Sequence, residues 1–178
     1  MKRLLVVIVL MAFGGMLFAQ TAAHDVTMNV GDIALIDLDD TVTVVLDITA
    51  PAQGGLDPIG DTDNSKYLQY TSLVAGAARR NITVQWDALD AAPAGTSLSV
   101  QITGIAGGSG TRGAYVGAPV TISNVAQNLI TGIGSCVTGV GATDGAAVQY
   151  NFNVVTPGSL VVGDTETVTV TFTLTVAS

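Results

Sequence analysis

The sequence predicts an all-β protein, an antiparallel β-sandwich that follows an N-terminal signal peptide. Three observations predict it. Apolar and hydroxyl residues alternate in run after run, most regularly in "ETVTVTFTLTVAS" at residues 166–178. Turn formers separate the runs, as in "APAQGG", "DPIGDTDN", "APAG", "GVGATDG" and "TPGS". No segment after residue 23 keeps helical spacing over three turns. A period of two gives each strand one face for a core and one for water. Many short strands between Gly and Pro turns form sandwiches or barrels. Spacing leaves immunoglobulin-like and jelly-roll Greek-key connectivity both open.

Residues 1–23 read as the signal peptide: Lys2 and Arg3, an apolar run from Leu4 to Phe13, then small residues at Ala19, Ala22 and Ala23. Gly14 and Gly15 interrupt the run short of the roughly 20 apolar residues that a bilayer crossing demands. Export across the inner membrane is therefore expected, to the periplasm, the cell surface or the outside. Residues 24–178 would form one secreted domain with no membrane span. Its expected strands carry Val26, Met28 and Val30; Val42 and Val44, continuing to Ile48; Ile82, Val84 and Trp86; Leu98, Val100 and Ile102; and Val120 with Ile122. Two more carry Val148, Tyr150, Phe152 and Val154, then Val168, Val170, Phe172, Leu174 and Val176. "AQNLITGIG" reads as at most one helical turn, broken by glycine, and the glycine-rich stretch 104–113 as a mobile loop.

The side-chain inventory argues against catalysis. His24 is the only histidine and sits at the start of the expected mature chain, so a nucleophile–base pair within the fold has no base. A Cys/His zinc cluster fails for the same reason, because Cys136 is the only cysteine. With no intramolecular disulfide possible, Cys136 reads as a small buried apolar residue. Once Lys2 and Arg3 leave with the signal peptide, four strong bases (Lys66, Arg79, Arg80, Arg112) face 14 acids. Such a surface repels phosphate backbones, which excludes nucleic acid as an expected partner. The acids cluster at Asp37, Asp39 and Asp40, and in "DTDNS". The second cluster puts hard oxygen ligands on alternate positions, so Asp61 and Asp63 are the candidate ligands for calcium, the one cofactor considered. Trp86 reads as a core anchor. The alternative is an exposed sugar-stacking platform with Tyr67, Tyr70 and Tyr115.

The alternating segment at Val26–Val30, the acidic Thr/Gly/Ala/Val-rich body and the terminal alternating strand preceded by Gly163 together resemble subunits of bacterial pili assembled by strand donation. The usual cysteine pair of those subunits is absent, and the chain ends "TVAS" without an aromatic next to last. "RRNITVQW", "PAGTSLSVQI", "QNLITGIGSC" and "VTVTFTLT" are similar to phrases in uncharacterised secreted β-sandwich proteins of Gram-negative bacteria, which carry no assigned chemistry. The pilin resemblance implies a non-catalytic structural or adhesive surface protein, pairing strands with itself or related subunits. Val26, Met28 and Val30 would form the donor segment, and Val168, Val170, Phe172, Leu174 and Val176 would border the acceptor groove. The alternative is a small carbohydrate-binding module for surface glycans, using Trp86 and the tyrosines, with calcium at Asp61 and Asp63.

Overall fold

A computed structural model describes residues 22–177. The expected signal peptide lies almost entirely outside the described residues. Eleven strands form: β1 (Ile33–Leu38), β2 (Asp61–Leu73), β3 (Arg80–Trp86), β4 (Thr96–Ala106), β5 (Ser109–Gly110), β6 (Ala114–Tyr115), β7 (Val120–Thr121), β8 (Gln127–Ile133), β9 (Cys136–Val137), β10 (Gly145–Val154) and β11 (Val170–Val176). The one helical element among the described residues is a 3₁₀ turn at Pro157–Ser159.

All strand pairs are antiparallel, and they build two sheets that pack face to face as a β-sandwich. The larger sheet runs β5-β9-β2-β10-β4-β7, with β1 added to the outer edge of β2; the smaller runs β11-β3-β8-β6. Alternation supplies the core. Leu68 and Tyr70 from β2, Val148 from β10, and Val100 and Ile102 from β4 meet Ile82, Val84, Leu129, Ile130 and Ile133 of the smaller sheet. Most of these are fully buried. At about 1.5–3 kcal/mol per buried large aliphatic side chain, this face is the main source of stability.

Several expectations are corrected. "DTDNS", read as a turn, opens the longest strand, β2. Its extra residue makes a bulge opposite Val148 and Tyr150 of β10. The Asp63 carboxylate sustains the bulge by accepting from the Ser65 N–H (3.1 Å) and hydroxyl (2.8 Å). "AQNLITGIG" is not a helical turn: it contains β8, and Gly132 takes a positive φ of 71° within that strand. The stretch 104–113 is not a free loop, because it completes β4 and adds β5, which pairs with β9. Gly108 is required there, since a Cβ would strike the Val137 carbonyl.

Two expected strands do not form. Residues 22–30 make no strand, and Val26, Met28 and Val30 are exposed. Residues 40–48 keep their alternation in burial, with Val44, Leu46 and Ile48 half-buried, yet have no ladder. Asp39 explains where pairing stops. Its N–H donates to the Tyr67 carbonyl (3.0 Å), but the Tyr67 N–H donates to the Asp39 side chain (2.9 Å) instead of the backbone. The carboxylate takes the place of the next ladder acceptor, and the chain leaves the β2 edge. Pairing returns only at the isolated bridge between Thr49 and Ile59.

Candidate functional site

The most distinctive surface is the flank where β1, residues 40–48 and β11 border the sandwich. β11 is the outer strand of the smaller sheet. The Ala177 N–H donates to the Arg79 carbonyl at 2.9 Å, and the register with β3 is unbroken from Val170↔Trp86 to Val176↔Arg80. In an antiparallel ladder, inward and outward backbone groups alternate. Thr171, Thr173 and Thr175 therefore bond to β3, whereas the N–H and C=O groups of Val170, Phe172, Leu174 and Val176 point to the open edge. No other backbone group of the described residues takes them up.

Val168, Val170, Phe172 and Leu174 pack against the core but stay only partly buried, as do Val44 and Leu46 of the unpaired segment and Trp86 of β3. The site thus combines an open row of backbone donors and acceptors with a half-covered apolar stripe. Val176, the last expected assembly residue, is 72% exposed.

The same logic applies to β1. The Asp39–Tyr67 bond fixes which residues face β2, leaving the outward groups of Ala34 and Ile36 without a strand partner. The two ion pairs of the described residues also lie on this flank. The ammonium of Lys66 meets Asp40, and an Arg80 Nη meets an Asp32 Oδ at 2.6 Å. Both cations point inward and are almost fully buried. The Lys66 hydrogen bond, then the Val42 N–H, hold the Asp40 carboxyl below its usual range.

The other candidate residues are dispersed. Tyr70 is buried, and its hydroxyl donates to the Arg112 carbonyl at 2.7 Å. Tyr67 lies beside a shallow depression with Thr103 and Gly104, and Tyr115 beside a neighbouring one with Arg112 and Gly113. Trp86 packs on the core instead of standing free. The four aromatic residues therefore share no platform. Asp61 accepts from the Thr62 N–H (2.7 Å) and the Asp47 N–H (3.3 Å), so it and Asp63 both serve local backbone geometry. Among the described residues, no three His, Cys, Asp or Glu side chains converge as a metal site. Cys136 is buried, and burial raises its thiol pKa.

Sequence reasoning missed Lys66, Arg80, Asp32 and Asp40 as a set. The available signal was two cations at strand positions whose neighbours at i+2 are apolar: Lys66 before Leu68, and Arg80 before Ile82. No helix among the described residues is long and apolar enough to cross a membrane. No family model, no curated protein and no solved structure matches this chain.

Proposed function

We propose that this chain is a non-catalytic, secreted structural or adhesive subunit that assembles by β-strand pairing with copies of itself or related subunits, in a pilus-like fibre. One observation carries the reading: the open edge of β11, where the backbone groups of Val170, Phe172, Leu174 and Val176 are unpaired beside a half-buried apolar stripe. Natural edge strands are usually blunted by lysine, proline or a bulge. β11 has none of these along its seven residues. Strand addition would supply main-chain hydrogen bonds to the edge and apolar contacts to the stripe.

Residues 26–30 supply a fitting donor. Val26, Met28 and Val30 alternate with Thr27 and Asn29, and the segment forms no strand of its own. Paired to β11 of another copy, the three apolar side chains would cover its stripe. The polar pair would continue its threonine face.

Electron microscopy of the purified protein with and without residues 24–31 tests the proposal. Filaments in the intact protein that disappear on deletion support it. Dispersed particles in both samples overturn it.

A further inference from the structure

Lys66 and Arg80 are unusual in position. They project from facing sheets, Lys66 from the inner face of β2 and Arg80 from the inner face of β3, and are 5% and 6% exposed. Buried cations are costly unless paired. Both find their partners on one short stretch of chain, Asp40 and Asp32. These acids are eight residues apart, hence on one face of an extended strand. Ile36 and Leu38 share that face and pack on the core.

We infer that Lys66 and Arg80 form a two-point charge lock selecting the strand on the outer edge of β2, and that residues 31–48 of a second copy of this chain are its alternative occupant. Charge complementarity sets the register. A slip of one residue turns both acids to the outer face, and a slip of two sets Leu38 or Val42 against the Lys66 ammonium. Residues 24–31 cannot substitute, because they carry a single acid, Asp25, where the lock takes two that are eight residues apart.

Exchange is favoured by how lightly the part of the native segment after Asp39 is held. The ladder to β2 ends at Asp39, residues 40–48 have none, and the connection back to β2 is tied by the isolated bridge between Thr49 and Ile59 and by the Asp47 N–H donating to the Asp61 carboxylate. That connection contains Gly54 and Gly55 and is largely exposed. If it opens, the segment from another copy restores every contact of the original and only the connection changes shape, which makes swapping a low-cost route to association. The inference extends the strand-pairing reading to a second edge, and its test does not depend on filaments.

Two full-length variants test it. One carries K66E and R80E, so its acceptor repels its own Asp32 and Asp40. The other carries D32K and D40K, so its segment is repelled by its own Lys66 and Arg80. Each segment matches the acceptor of the other variant. Refolded together, the two are expected to give a one-to-one heterodimer of doubled mass by native mass spectrometry and light scattering. A third variant with all four changes in one chain restores complementarity internally and is expected to fold alone. If this third variant folds but the mixed pair yields no heterodimer, exchange between copies is overturned. If it does not fold, the charge lock itself is overturned. A heterodimer without filaments would retain the lock while removing the β11 reading.

Discussion

The β2–β10–β4 ladder and the flank of residues 40–48 with β11 share one alternating pattern but reach different structures. In the ladder, Val100, Ile102 and Val148 are fully buried and their strands are paired on both sides. On the flank, Val44, Leu46, Phe172 and Leu174 face the same core but are only partly covered, and their strands have an open side or no ladder. Alternation therefore decides which face turns inward. It does not decide whether a neighbour arrives to cover it. Natural proteins rarely leave a long edge open without a device against association, so the contrast points to the flank as the surface that association would complete.

The sharpest way to break this comparison is to delete equal volumes from each region. Leu129 is fully buried, so Leu129→Ala is expected to cost about 2–5 kcal/mol, the range for such a deletion in a close-packed core. Leu174 is only partly buried, so Leu174→Ala is expected to cost about 1 kcal/mol in the monomer. Urea unfolding of both variants checks the pair. Equal losses would show that the flank is as well covered as the interior, removing the basis for an acceptor edge.

How much of this was legible in the sequence follows from the same contrast. β3, β4, β7, β10 and β11 were readable because an apolar residue occupies nearly every inward position, and Trp86 followed as a core-facing residue. β2 was not. Its inward positions are Lys66, Leu68, Tyr70 and Ser72, and a lysine and a serine at the two ends hide the period. β1 was hidden by the acids of "IALIDLDD", which drew a reading of clustered carboxylates. In the fold those acids act separately: Asp37 accepts from the Leu38 N–H, Asp39 ends the ladder, and Asp40 neutralises Lys66. The run at 42–48 fails in the opposite direction. Its period holds in burial, but pairing depends on the Asp39 side chain outside the run. The β11 stripe could be named from sequence, whereas the open edge beside it could not, because strand order is a tertiary property.

A second break uses proline, which removes one backbone donor and sets φ. The Thr173 N–H points to β3, so Thr173→Pro removes a ladder bond in mid-strand and is expected to lower the melting temperature clearly. The Val176 N–H points to the open edge, and its side chain is mostly exposed. Val176→Pro is thus expected to leave monomer stability within about 1 kcal/mol, as proline is tolerated on edges, while shortening or abolishing fibres. Calorimetry with electron microscopy reads both effects. Fibres of normal length from Val176→Pro would place growth elsewhere than β11.

The smallest expected effect separates the two regions by pH. In the interior, burial pushes Tyr150 up to about 12 and raises Tyr70 as well, from a usual value of 10. Raised folded values mean that their contribution is complete below pH 10 and is lost as pH climbs through those values, because the unfolded chain releases these protons first. On the flank, the Asp40 carboxyl lies below its usual 3.8, mainly through the Lys66 hydrogen bond. Its contribution is complete above that usual value and is lost as pH falls through the lowered one. The alkaline limb of stability therefore reports the interior, and the acid limb includes the flank. Melting temperatures across pH are expected to show a shallower alkaline limb for Tyr150→Phe with its acid limb unchanged, and the reverse for Asp40→Asn. An acid limb unaltered in Asp40→Asn would mean that the Lys66 pair does not hold residues 40–48 in solution, and that segment would then be fastened by the apolar contacts of Val44 and Leu46 and by the Asp47 N–H bond to Asp61.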